Sequence, residues 1–171
     1  MMNTAMNTAR RPDSILSLAP LDEGEHPDVF IRALELLHEE GITFKAVMVG
    51  DPTDPDSVFA HKVRNKASTL ALEGVLSMRD GVPDTQAPEL FDDHAIVVNL
   101  SPSGVSHLVL QEAARAGTLI VASDEKLRGV LPDILLVNHD SRESVAAGIK
   151  AALGMSAQDR SDVVTRLQPN R

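Results

Sequence analysis

Apolar residues recur along this chain in two rhythms: short continuous runs, and longer stretches with helical spacing. The runs are Ser14–Leu18, Phe44–Val49, Ala71–Leu76, Ala95–Leu100, Thr118–Ala122 and Ile134–Val137, read as six strands. Between them, Asp28 to Glu40 puts Val29, Ala33, Leu36 and Leu37 on one helical face and stops at Gly41, a residue suited to the turn after a helix. Asp56 to Lys66, through Val58, Phe59 and Val63, predicts a second helix. A short helix at Pro88–Asp92 and a longer one at Val105–Ala116, stopped by Gly117, follow. Ser141 is the expected N-cap of a helix to Leu153, with Glu143 in its first turn. Ser156–Leu167 predicts the last.

Continuous apolar strands spaced by helices imply parallel βαβ units covered on both faces, with right-handed crossovers. The expected class is therefore α/β: a Rossmann-like doubly wound parallel sheet of about six strands, in the order 3-2-1-4-5-6. Ile96–Val98 and Ile120–Val121 belong in adjacent central strands. Ligands of such sheets bind beyond the carboxyl ends of the strands. The loops to inspect are Ala19–Pro27, Gly50–Pro55, Ser77–Pro83 and Ser101–Ser106.

Composition narrows the function. The 171 residues suit one domain, taken as 13–171 behind a frayed tail at 1–12, where Met-Asn-Thr-Ala occurs twice in tandem. That tail has no apolar core of the kind a secretory signal needs, so a cytoplasmic location is the default expectation. No apolar run approaches the ~20 residues that span a bilayer, so no integral membrane segment is expected. Cysteine is absent, which excludes disulfides and thiolate chemistry. A net charge of −9 argues against a nucleic-acid partner. With four Phe and no Trp or Tyr, platforms for stacking bases are scarce.

Several nucleotide motifs are missing. No G-x-G-x-x-G follows the first strand, and no G-x-x-x-x-G-K-[ST] occurs, so neither a nicotinamide cofactor nor a P-loop is expected. The histidines at 26, 38, 61, 94, 107 and 139 show no H-x-x-x-H or H-x-H spacing, and no metal site is expected from them.

One segment carries a resemblance. Pro102-Ser103 ends a buried strand. A helix reading Gln111-Glu112-Ala113-Ala114-Arg115-Ala116-Gly117 then leads into Leu119-Ile120-Val121. This resembles the donor-binding segment of family 4 glycosyltransferases, the retaining, GT-B-fold enzymes that use nucleotide sugars. Ser14–Leu18, Phe44–Gly50, Leu72–Val75 and Asp140–Leu153 are similar to further pieces of that family in the same order. The resemblance spans about Ser14 to Leu167 and covers only the family's C-terminal, donor-binding half. It implies a nucleoside-diphosphate-sugar substrate, no resident cofactor, and retaining, metal-independent transfer that needs an acceptor domain from elsewhere.

The chemistry of the segment agrees in outline. The first turn of a helix presents unpaired N–H groups and a positive dipole end, which suits a diphosphate. Ser103, Gly104, Val105, Ser106 and His107 are the candidates there, with Gly104 permitting close approach of the backbone. The resemblance gives Glu112 the two ribose hydroxyls. The same residues also suit structural roles: Ser103 and Ser106 as helix caps, Glu112 as a solvated carboxylate. The chain departs from the family elsewhere. Gly104 stands where a partner carboxylate is usual, and Pro20 and Glu25 stand where an Arg and a Lys clamp the diphosphate. Three readings follow. The chain is the donor half of an enzyme whose acceptor half is another chain; or a non-catalytic relic that binds a nucleotide sugar, a protein partner or its own copies; or an unrelated Rossmann-like enzyme acting through His107, Ser103 and Asp51. No catalytic residue is assigned.

Overall fold

A computed structural model describes residues 10–101 and 106–168. Among them five strands form one parallel sheet in the order β3-β2-β1-β4-β5. They are β1 (Arg11–Leu18), β2 (Lys45–Val49), β3 (Leu76–Arg79), β4 (His94–Asn99) and β5 (Leu119–Ala122). The helices are α1 (Pro27–Glu39), α2 (Val58–Leu72), α3 (Ala87–Asp93), α4 (Ser106–Arg115), α5 (Arg142–Gly154) and α6 (Ala157–Leu167). Helix α1 packs on α2 and α5, whereas α4 packs on α3 and α6, giving a layer on each side of the sheet. The doubly wound architecture expected from the continuous apolar strands is therefore present.

Central strands are apolar on both faces because helices cover both. All six residues of β4 are buried, as are all four of β5. Val97 pairs with Ile120 and Val98 with Val121, so these two runs are neighbours as expected. Leu16 in β1 lies opposite Val47 on one side and Val97 on the other. Phe30, Phe44 and Phe91 bury fully around this sheet.

Two strand assignments need correction. The run Ala71–Leu76 is not a strand. Ala60, Val63, Ala67 and Leu70 are buried at helical spacing, so α2 continues to Leu72. Gly74, at φ +77°, then turns the chain, and β3 begins at Leu76. The Leu72–Val75 piece of the resemblance thus falls on this helix end and turn. The expected sixth strand, Ile134–Val137, is reduced to one parallel bridge between Ala122 and Leu136, where Val137 N donates to Ala122 O at 2.8 Å. Asp133–Leu135 forms a 3-10 turn directly after Pro132, leaving too little extended chain for a ladder.

The sheet begins earlier than the apolar pattern suggests. Residues 10–12, read as tail, contribute directly: β1 starts at Arg11, and the Arg10 guanidinium donates to the carbonyls of Phe91, Asp92, Ala116 and Gly117 at 2.9–3.1 Å. Those carbonyls lie at or just beyond the ends of α3 and α4, where helix carbonyls lack partners. Burial holds the Arg10 pKa below its ordinary value, partly opposed by Asp92 and Asp93. Ser141 caps α5 as expected, accepting from Ser144 N. Among the described residues no helix is long and apolar enough to cross a membrane.

Candidate functional site

The chain winds outward from β1 in one direction through β2 and β3, then in the other through β4 and β5. Loops leaving β1 and β4 therefore diverge and open a crevice at the carboxyl edge. The floor of this edge depends on a close approach. A Cβ built on Gly50 would lie 1.9 Å from the carbonyl oxygen of Ala19. Only glycine lets the ends of β1 and β2 come so near. Hydrogen bonds hold them there: Ala19 N to Val49 O at 3.2 Å, Leu21 N to Asp51 O at 3.0 Å, and Gly50 N to Arg79 O at 3.2 Å.

The next loop is braced by Asp22. Its carboxylate accepts from Thr53 N at 2.9 Å and from Thr53 Oγ1 at 2.5 Å. Asp51 faces Gly81, where an added Cβ would come within 2.7 Å of Asp51 Oδ2. Together the ends of β1 and β2 and the 81–87 segment wall a cleft of about 420 Å³.

Helix α4 closes the cleft. It buries Leu110, Ala113 and Ala114 against the rest of the molecule. Val109 and Glu112, one turn apart on an adjoining stripe, face the cleft instead. Glu112 thus lies in one cleft with Pro20, Gly50 and Asp51. Asp84 and Ala87 add to the far wall. The sequence reading missed these two because they sit beyond the expected loop, at the start of a helix. A smaller cavity lies at the switch point between β1 and β4, where Glu25 meets Ala19, Phe30 and Leu100.

Of the other candidates, Ser106 and His107 are the first two residues of α4. Ser103, Gly104 and Val105 lie outside the described residues. Ser101, just before them, is buried and donates its N–H to Asn99 Oδ1 at 3.0 Å. The site is largely acidic. Segments 19–27, 50–57 and 80–86 carry eight Asp and Glu, while Arg79, the exposed last residue of β3, supplies a cation at the same edge. Such an edge disfavours a diphosphate away from that cation.

Comparison with known proteins fits this architecture. The profile of the family described as "Glycosyl transferases group 1" matches residues 12–154. No curated protein matches the sequence. Among solved structures, the C-terminal domain of a glycosyl transferase group 1 family protein (LpcC) from Francisella tularensis superposes with a TM-score of 0.75 at 17% identity. That match covers 90% of this chain and 81% of that domain. Anabaena HepE, in complex with UDP and glucose, gives 0.75 at 16% identity over 98% of this chain and 45% of its own. A UDP-forming α,α-trehalose-phosphate synthase from Burkholderia xenovorans gives 0.76 at 17% identity, covering 97% and 40%. The chain spans less than half of these two longer proteins. With the family profile matched across most of its length, the chain belongs to the group 1 glycosyl transferases, and its fold is that of the C-terminal, Rossmann-like domain of a GT-B enzyme.

Proposed function

We propose that this domain binds a nucleoside-diphosphate sugar in the cleft between α4 and the ends of β1 and β2. The observation that carries the reading is Glu112: the residue to which the resemblance gives the ribose hydroxyls lines the cleft at the carboxyl edge. Its carboxylate takes two ribose hydroxyls, and the diphosphate lies at the start of α4, over residues 103–107. Complexes of similar folds with UDP support the ligand class.

Transfer needs more than this chain. In a two-domain cleft, closure places the acceptor hydroxyl against the anomeric carbon, and such positioning supplies ~7–11 kcal/mol of a barrier. Pro20 and Glu25 also withdraw the cations that stabilise a leaving diphosphate; one such electrostatic donor is worth ~2.7–4 kcal/mol. The domain alone is therefore inactive and works with a second chain or domain on its carboxyl edge. The acidic loops favour a second reading, a relic that binds without catalysing.

Calorimetric titration with UDP, GDP, ADP and their glucose conjugates tests binding. One nucleotide should bind weakly, and Glu112→Ala should weaken it by about 10–100-fold, the worth of hydrogen bonds to a charged acceptor. Unchanged affinity in that variant would move the ligand elsewhere. Glycoside formation by the purified chain alone, abolished by Glu112→Ala, would overturn the inactive reading.

A further inference from the structure

The described histidines include a pair that the sequence holds far apart and the fold brings together. His26 follows β1 and precedes α1; His139 lies in the turn before α5. Their rings stack with centroids 4.3 Å apart and planes inclined by 29°. Asp140 joins them, with its Oδ2 3.6 Å from His139 Nε2. One ligand atom from each of the three lies within 4.8 Å of the others.

We propose that His26, His139 and Asp140 form a binding site for a divalent transition-metal ion of the Zn2+ class. Two imidazoles and one carboxylate are the donor set that such ions accept, whereas Mg2+ and Ca2+ prefer oxygen ligands alone. Zinc bonds of about 2.0–2.2 Å require ligand atoms roughly 3.3–3.5 Å apart in a tetrahedron. The His139–Asp140 separation is already close to this; the His26 ring, stacked on His139, has to tilt to bring a nitrogen from within 4.8 Å to that distance, and the exposed Asp140 carboxylate has room to rotate. Water takes the fourth position.

Both loops are built to hold their ligands. Asn138 N donates to Ser144 Oγ at 2.9 Å, Asp140 N to Asn138 Oδ1 at 3.0 Å and Ser141 N to Asn138 O at 3.1 Å, which pins the 138–141 turn. His26 is the only described non-glycine residue with a positive φ, at 54°, a conformation that L residues adopt at a cost. Among the described residues its ring makes no hydrogen bond, so its nitrogens remain available to an ion. The preceding residues Asp22, Glu23 and Glu25 create a field that attracts a cation.

The site stands apart from the donor reading: a chain that takes up Zn2+ but no nucleotide keeps this site and loses the proposed function. The test is calorimetry and equilibrium dialysis of the untagged full chain against Zn2+, Co2+ and Mg2+. One Zn2+ per chain is expected, with visible bands of a low-coordinate Co2+ complex and no uptake of Mg2+. His139→Ala should lower Zn2+ affinity by at least about tenfold, since loss of even a group supporting a ligand costs about 10–100-fold. His26→Gly, which keeps the left-handed backbone without strain, and Asp140→Asn should do the same with unchanged circular dichroism. His61→Ala, exposed on α2, should leave binding intact. Absence of Zn2+ binding, or binding indifferent to His139→Ala and His26→Gly, would overturn the site.

Discussion

Replacing Gly50 with alanine adds a single methyl group, and the structure says where it goes. The new Cβ would sit 1.9 Å from Ala19 O and 2.8 Å from the Ala19 carbonyl carbon, both backbone atoms. Gly50 does not have a positive φ, so the cost is steric rather than torsional. Relief requires β1 and β2 to part at their carboxyl ends. Overpacking of this kind costs about 1–3 kcal/mol. Parting the strands also strains the Ala19–Val49 and Leu21–Asp51 hydrogen bonds, each worth about 1 kcal/mol. The expected loss is therefore about 3 kcal/mol. For a domain of this size that lowers the melting temperature by roughly 6–12 °C. Urea denaturation followed by far-ultraviolet circular dichroism measures it, with the slope unchanged and the midpoint lowered. Gly24→Ala is the matched control in the neighbouring loop, because an added Cβ there meets no atom within 4 Å. It should shift stability by no more than about 0.5 kcal/mol. If Gly50→Ala unfolds at the wild-type midpoint, the close approach of the two strand ends is wrong, and the cleft floor with it.

Arg10→Met should destabilise by roughly 2–3 kcal/mol in the same assay, because four carbonyls at helix ends lose a charged donor. An unchanged midpoint would show that water replaces the guanidinium without loss. Glu25→Lys should tighten UDP binding about tenfold by calorimetry, since it puts a cation beside the switch-point cavity where an acid now stands; equal or weaker affinity would separate Glu25 from the diphosphate. The Glu143 carboxyl is held below its ordinary value of 4.5, first by a hydrogen bond from its own backbone N–H at the start of α5 and next by Arg142. A lowered folded pKa stabilises above the unfolded value and loses that contribution as pH falls through the folded one. Glu143→Gln should therefore be less stable than the wild type at neutral pH and equal to it in strong acid. A stability difference that persists in acid would assign the effect to something other than charge.

The central sheet was legible because its signal is local. Ala95–Leu100 and Thr118–Ala122 are apolar on both faces of the pleat save for Asn99 and Thr118, as strands covered on both faces tend to be, and they contain most of β4 and all of β5. The expected cap was equally local: Ser141 accepts from Ser144 N within its own first turn, and Ser156, read as the first residue of the last helix, proves to be its cap in the same way. Ala71–Leu76 misled for the same reason. A short apolar run fits either period, and only the buried face of α2 decides that its first residues finish a helix. Ile134–Val137 has a strand's composition but meets β5 at one bridge, an outcome set by the turn after Pro132. In the candidate site, Glu112 is singled out by the resemblance alone, and the fold puts it on the cleft wall. The cleft around it joins the ends of β1 and β2 to the 81–87 segment and α4, and no local pattern records which crossovers converge. His26 and His139 make the point most sharply. Their separation in sequence carries no ligand spacing, and they stack because α1 and α5 share one layer of the fold. Periodicity tells each segment which of its faces to bury; only the winding of the sheet determines which distant loops share an edge.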